Sequence, residues 1–192
     1  MPFDPAEPFL IADHPALDLL NTVSQVDGQL QDEWRTGQDV RVWFGRVGMA
    51  LGLPAECNDS ELLARVRCLR ETLGVLIRAR HAGEVSDPTV LNGFLRHAAH
   101  YPHLDWPTEG APSLRQVGLQ ASLGRALAPL AEAGAWLLAE GDFRRVRQCE
   151  HPDCILWFYD RTKANRRRWC SMALCGNRHK VAEHRKRQKQ AL

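Results

Sequence analysis

The chain has 192 residues, 44% hydrophobic and 25% charged, with a formal net charge of +2. That length suits one or two domains that bury roughly 70% of the unfolded surface, and the mixed composition excludes a disordered, collagen-like or fibrous protein. No run approaches the ~18 uncharged apolar residues of a membrane span, and Met1–Leu10 carries Asp4 and Glu7 but no basic residue, so the expectation is a cytoplasmic protein without a secretory signal.

The first 142 residues read as mostly helical. Asp13-His14-Pro15 offers a cap and a first-turn proline ahead of Leu17, Leu19, Leu20 and Val23. Thr36-Gly37-Gln38-Asp39 has the form of a capping box, followed by Val40, Trp43, Phe44, Val47 and Leu51 at helical spacing. Ser60 to Ala82 carries one apolar face, and Asp87-Pro88 opens another helix with Val90, Leu91, Phe94 and Leu95. Tyr101 to Trp106, a Pro/Gly-rich turn and Leu114 to Val117 then predict a short β-hairpin. Leu119 to Ala139 returns to helix, with Pro129 as a kink.

No nucleophile–base constellation stands in this part, so no enzyme is expected. His97, His100 and His103 lie three apart, but Pro102 interrupts them and no cysteine or carboxylate joins at ligand spacing; a polar helix end is the simpler reading. His14, Asp18 and Asn21 fall near one another on the first helix and form a possible ligand pocket, against the plainer reading of a capped helix start.

Charge divides the chain. Residues 1–143 hold 11 Arg, no Lys and 19 acids, a balance of −8; residues 144–192 hold 10 Arg, 4 Lys and 4 acids, a balance of +10. Such asymmetry predicts an acidic body with a polyanion-binding tail. The cysteines divide the same way: Cys149, Cys154, Cys170 and Cys175 form two C-x4-C pairs, with His151 inside the first. Four reduced thiols in two close pairs call for one structural zinc, which fills its tetrahedron with sulfur and leaves no open position; an iron–sulfur cluster is the alternative. Phe143 to Gln148 and Ile155 to Tyr159 would pair as a hairpin, with Trp157, Tyr159 and Trp169 covering the metal, or serving instead as stacking platforms for bases.

The tail beyond Asn177 reads as a basic helix with only Val181 and Ala182 apolar in its middle. Arg166, Arg167, Arg168, Arg178, Lys180 and Arg185 are the candidate nucleic-acid contacts, the triple arginine on phosphates and Arg178 and Lys180 on base edges. Arg178 has the alternative of bracing the second cysteine knuckle or the Asp160 carboxylate. The expected architecture is mainly α with a small β-hairpin: a helical domain over residues 1–142, then a treble-clef-like or ribbon-like zinc finger over 143–192 ending in that helix.

Trp157-Phe158-Tyr159-Asp160-Arg161, Asn165 to Met172 and Cys175-Gly176-Asn177-Arg178 closely resemble the CGNR zinc finger of bacterial proteins. His14 to Thr22 resembles the start of the ABATE domain that precedes that finger. The resemblance implies a stress-linked bacterial transcription regulator with the four cysteines as ligands. DNA is then the expected partner and RNA the alternative. No membrane is expected as a partner. A signal of unidentified kind, small molecule or protein, would act on the helical domain, and an adaptor whose zinc is only a staple is a third reading.

Overall fold

In the computed structural model, which describes residues 10–54, 56–118 and 120–190, the first element is helix α1 (Pro15–Leu20). The amino-terminal segment read above for a secretory signal lies almost wholly outside the described residues. His14 is the N-cap of α1, its ring nitrogen accepting from the Ala16 amide at 3.2 Å. The helix is shorter than its apolar spacing predicts. Val23 instead opens strand β1 (Val23–Val26), which pairs antiparallel with β2 (Gln29–Asp32). Asp27 and Gly28 join them with φ of 50° and 80°, the left-handed pair that a tight hairpin turn requires.

Helix α2 (Gly37–Arg46) begins at the expected capping box, with the Thr36 hydroxyl and Asp39 carboxylate each accepting from the other's backbone amide. Helix α3 (Asp59–Ala82) starts at Asn58 and stops at Gly83, whose φ of 76° satisfies the last carbonyls in a left-handed cap. Helix α4 (Thr89–Leu95) passes through a 3-10 turn at Arg96–Ala98 into the second hairpin, β3 (His100–Asp105) with β4 (Ser113–Gly118). Helix α5 (Leu123–Glu140) follows, capped by Ser122.

A third hairpin pairs β5 (Val146–Gln148) with β6 (Trp157–Tyr159). A π-helical turn, Met172–Gly176, then leads into α6 (Asn177–Gln190). Among the described residues no helix is long and apolar enough to cross a membrane.

Two cores result. The larger gathers α1, α2, α3, α4 and α5 around Leu17, Trp43, Phe44, Leu69, Leu73 and Leu127, and it also takes in Val146 and Trp157 from beyond residue 142. The smaller consists of Cys149, Leu156, Phe158, Trp169, Cys170 and Cys175. Strand alternation explains the split, since successive side chains point to opposite faces. Leu156 and Phe158 therefore face the cysteines while Trp157 and Tyr159 face the helices. This corrects the expectation that all three aromatics cover the metal; only Trp169 does. Asn21 clamps the junction, its side chain donating to the Trp157 carbonyl and accepting from the Trp157 amide, both at 2.8 Å.

Candidate metal centre and the basic face around it

Backbone hydrogen bonds shape each half of the cysteine cluster. The Cys149 amide donates to the Leu156 carbonyl at 2.9 Å, which closes the loop holding Cys149 and Cys154. The Cys175 and Gly176 amides both donate to the Ser171 carbonyl, at 3.0 and 3.1 Å, winding the turn that carries the second pair. His151 stays out of the cluster and accepts from the Asp153 amide through Nδ1 at 3.2 Å.

The four cysteine sulfurs lie within 4.8 Å of one another. Cys154 and Cys170 Sγ are 3.8 Å apart, and Cys170 and Cys175 Sγ are 3.5 Å apart. A sulfur tetrahedron around zinc, with bonds near 2.3 Å, has edges of about 3.8 Å. A multi-iron cluster needs space between its thiolates for several irons and bridging sulfides, which this spacing does not leave. The four thiols are positioned to hold one metal ion. Their charge is supported from outside, by the Cys170 amide donating to Cys149 Sγ at 3.4 Å and Arg178 donating to Cys175 Sγ at 3.2 Å.

Residues 145–188 match the family model of the CGNR zinc finger, and residues 13–141 match ABATE, described as a putative stress-induced transcription regulator. The chain belongs to the ABATE family. No curated protein matches it closely enough to count as a relative. With the finger identified as CGNR, zinc is the ion that Cys149, Cys154, Cys170 and Cys175 hold.

Many arginines of the CGNR finger are structural. Arg145 donates to the Asp160 and Thr162 carbonyls, and Arg147 to the Asn165 and Arg167 carbonyls, stapling the loop before Cys170. Asp160, fully buried, anchors that loop by accepting from Thr162 and from the Arg167 amide. Burial alone would push this carboxyl up, but those hydrogen bonds outweigh it and hold it below its ordinary value. Sequence reasoning missed Arg145, Arg147 and the anchoring role of Asp160; the arginines' partners lie too far along the chain for a local pattern to show, whereas Asp160-Arg161-Thr162 is a local turn signal that could have been read.

Arg167 departs from the phosphate role expected of it. Its guanidinium pairs with Asp13 at 2.6 Å, donates to the Ile11 carbonyl at 2.8 Å and to Trp169 and Cys170 carbonyls, and sits 4.4 Å from the Phe158 ring centre. Its donors tie the ABATE segment before α1 to the finger. Arg161 adds two bonds to the Asp13 carbonyl, at 3.1 and 2.8 Å. Arg168 pairs with Glu150 at 2.6 Å and stacks on Trp169.

Exposed Arg166, Lys180 and Arg185 have no hydrogen-bond or ion-pair partner among the described residues. Arg166 and Arg168 border a cavity of about 550 Å³ floored by Trp169 and Met172. His14, Asp18 and Asn21 are occupied by the fold: His14 caps α1, Asp18 accepts from the Ala12 amide at 2.9 Å, and Asn21 holds Trp157. The three histidines diverge: His97 packs beside α5, His100 contacts the Ala98 carbonyl and His103 lies 3.3 Å from Asp105.

Proposed function

We propose that the protein is a transcription regulator that binds DNA through the CGNR finger and α6, acting in the bacterial cytoplasm at the nucleoid, while the ABATE body receives a signal or mediates assembly. One observation carries the reading: beside the metal core, α6 presents Lys180 and Arg185 without partners among the described residues, in a helix of fourteen residues whose sequence, NRHKVAEHRKRQKQ, has no apolar face to bury. Arg166, Lys180 and Arg185 would contact phosphates. Arg178 serves first as a brace on Cys175, with its remaining donors free for a base edge. Two ligands from a hairpin loop and two from the turn into a helix support a treble-clef-like finger. Structured RNA is the alternative partner, since the same exposed cations would meet its phosphates equally well.

Binding of the full zinc-loaded chain to duplex DNA and to structured RNA, at matched salt, tests this. Three phosphate contacts give a log–log salt slope of about −3 on duplex DNA, and Lys180→Ala with Arg185→Ala reduces it by about two. Tighter binding to RNA at every salt concentration selects the RNA reading. Absence of any salt-dependent binding by a folded protein overturns both and leaves a protein-interaction adaptor.

A further inference from the structure

The ABATE body contains a second cavity, of about 320 Å³, away from the finger. One face of α5 supplies Arg125, Ala128, Pro129 and Glu132, which stand at i, i+3, i+4 and i+7; His97 and Gly52 close the other sides. The volume is that of a small-molecule site.

The backbone is cut to fit the polar groups. A Cβ on Gly124 would lie 2.4 Å from the His97 ring, and one on Gly118 would lie 1.6 Å from the Arg125 guanidinium. Two glycines thus make the room in which His97 and Arg125 sit. Arg125 also reaches the Ala99 carbonyl at 3.4 Å, so it rests at the root of the β3–β4 hairpin. Pro129 has no N–H to give to the Arg125 carbonyl one turn earlier, which leaves an acceptor between two cavity-lining residues. Glu132 and His97, both half-buried, have no hydrogen-bond or ion-pair partner among the described residues.

We propose that this cavity binds a small elongated zwitterion, its carboxylate on Arg125 and His97 and its ammonium on Glu132 and the Arg125 carbonyl. A simple anion would face Glu132 and a simple cation would face Arg125, so a ligand carrying both charges matches the lining best. Seven residues of helix separate Arg125 from Glu132, about 10 Å along the axis. That offset exceeds the reach of an α-amino acid and suits charges several bonds apart, as in an ω-amino acid or a dipeptide. The site does not rest on the nucleic-acid reading, because none of its residues belongs to the finger.

Calorimetric titration of the full chain with 6-aminohexanoate, at constant ionic strength, is expected to show saturable one-to-one binding with Kd about 1 mM. Hexanoate and hexylamine, each offering one end, bind about tenfold or more weakly. Glu132→Gln weakens 6-aminohexanoate about tenfold and removes its advantage over hexanoate. Gly52→Phe abolishes binding, because the Cβ position of this exposed residue meets open space and the ring plugs the cavity without disturbing its charges. Both variants keep the parent's circular dichroism and melting temperature. No saturable binding, equal binding of hexanoate, or full binding by Gly52→Phe would each overturn the proposal.

Discussion

In the ABATE body, Trp34, Trp43, Phe44, Leu69, Leu73 and Leu127 are almost wholly buried in one continuous apolar core. In the finger, only Leu156, Phe158 and Trp169 join three buried cysteines. Burial of a large apolar side chain contributes about 1.5–3 kcal/mol, while ordering each residue costs about 1–2 kcal/mol in backbone entropy. Three such side chains cannot offset the ordering of the chain from Cys149 to Gly176, so the finger depends on its metal and on its packing against the body. The body holds itself together; the finger is held by its zinc and by the body. Strand β6 is where the two meet, with Phe158 facing one core and Trp157 the other.

Removing the metal breaks the comparison most sharply. Zinc contributes on the order of 10–16 kcal/mol to folding such a module. Cys170→Ser is expected to lose the one equivalent of zinc found by elemental analysis and to disorder the 160–176 loop. The body should keep most of its helical circular dichroism. Full loss of helical signal would mean that the body has no stability of its own.

Trp157→Ala tests the junction from the other side. Truncating a buried tryptophan costs about 3–5 kcal/mol, and here the loss falls on the body although the residue belongs to the finger's hairpin. Urea unfolding of the variant should show that loss with zinc content unchanged. For the same reason a chain of residues 1–142 lacks both Trp157 and Val146 and should be less stable than one ending after Tyr159. Equal unfolding midpoints would place the boundary at residue 142 after all.

The sequence made local devices legible and long-range ones illegible. The capping box at Thr36, the β3–β4 hairpin, the paired cysteine spacings and the start of α6 at Asn177 are set by residues within a few positions of each other. The β1–β2 hairpin was also within reach: Asp27-Gly28 is a turn signal, masked by apolar Val23 continuing the spacing of α1. What Arg167 does was not within reach. Three consecutive arginines look alike until the fold brings Asp13 and the Ile11 carbonyl to one of them. The same holds for Trp157, whose face depends on strand phase and on Asn21 far upstream.

Acidity separates the two regions more finely. Burial lifts the Asp18 carboxyl from its ordinary 3.8 to about 6, despite amide hydrogen bonds from Ala12 and Ile11. A carboxyl raised on folding contributes stability below pH 4 that is lost as pH rises through 6, here about 2–3 kcal/mol. His14 acts in the opposite sense. Burial, aided by Arg161, lowers it from 6.5 to about 4, so its contribution is present above 6.5 and fades as pH falls toward 4. Partial exposure of His14 makes that limb smaller. Asp18→Asn should therefore exceed the parent in stability by about 2 kcal/mol at pH 7 and converge with it at pH 4. Loss of zinc in acid acts on both chains alike, so the difference between their urea midpoints isolates Asp18. A difference that stays constant across this range would show that Asp18 titrates normally.

The smallest effect discriminates best between neighbours. Arg166 is exposed and without a partner among the described residues, whereas Arg167 reaches across the junction to Asp13 and Ile11. Arg167→Ala strips the Ile11, Trp169 and Cys170 carbonyls of a charged donor, and Asp13 of its partner, which costs about 2 kcal/mol because a charged hydrogen bond in a half-buried site contributes about 1.5–3 kcal/mol. Arg166→Ala should leave stability within about 0.5 kcal/mol of the parent, as a surface change away from any such feature does. On duplex DNA the order reverses. Arg166→Ala reduces the log–log salt slope by about one. Arg167→Ala, measured well below its melting temperature, leaves the slope unchanged, since its charge already has a partner within the chain. If instead Arg167→Ala flattens the slope at unchanged stability, the brace opens to reach phosphate, and the division between holding and binding arginines fails at the residue that defines it.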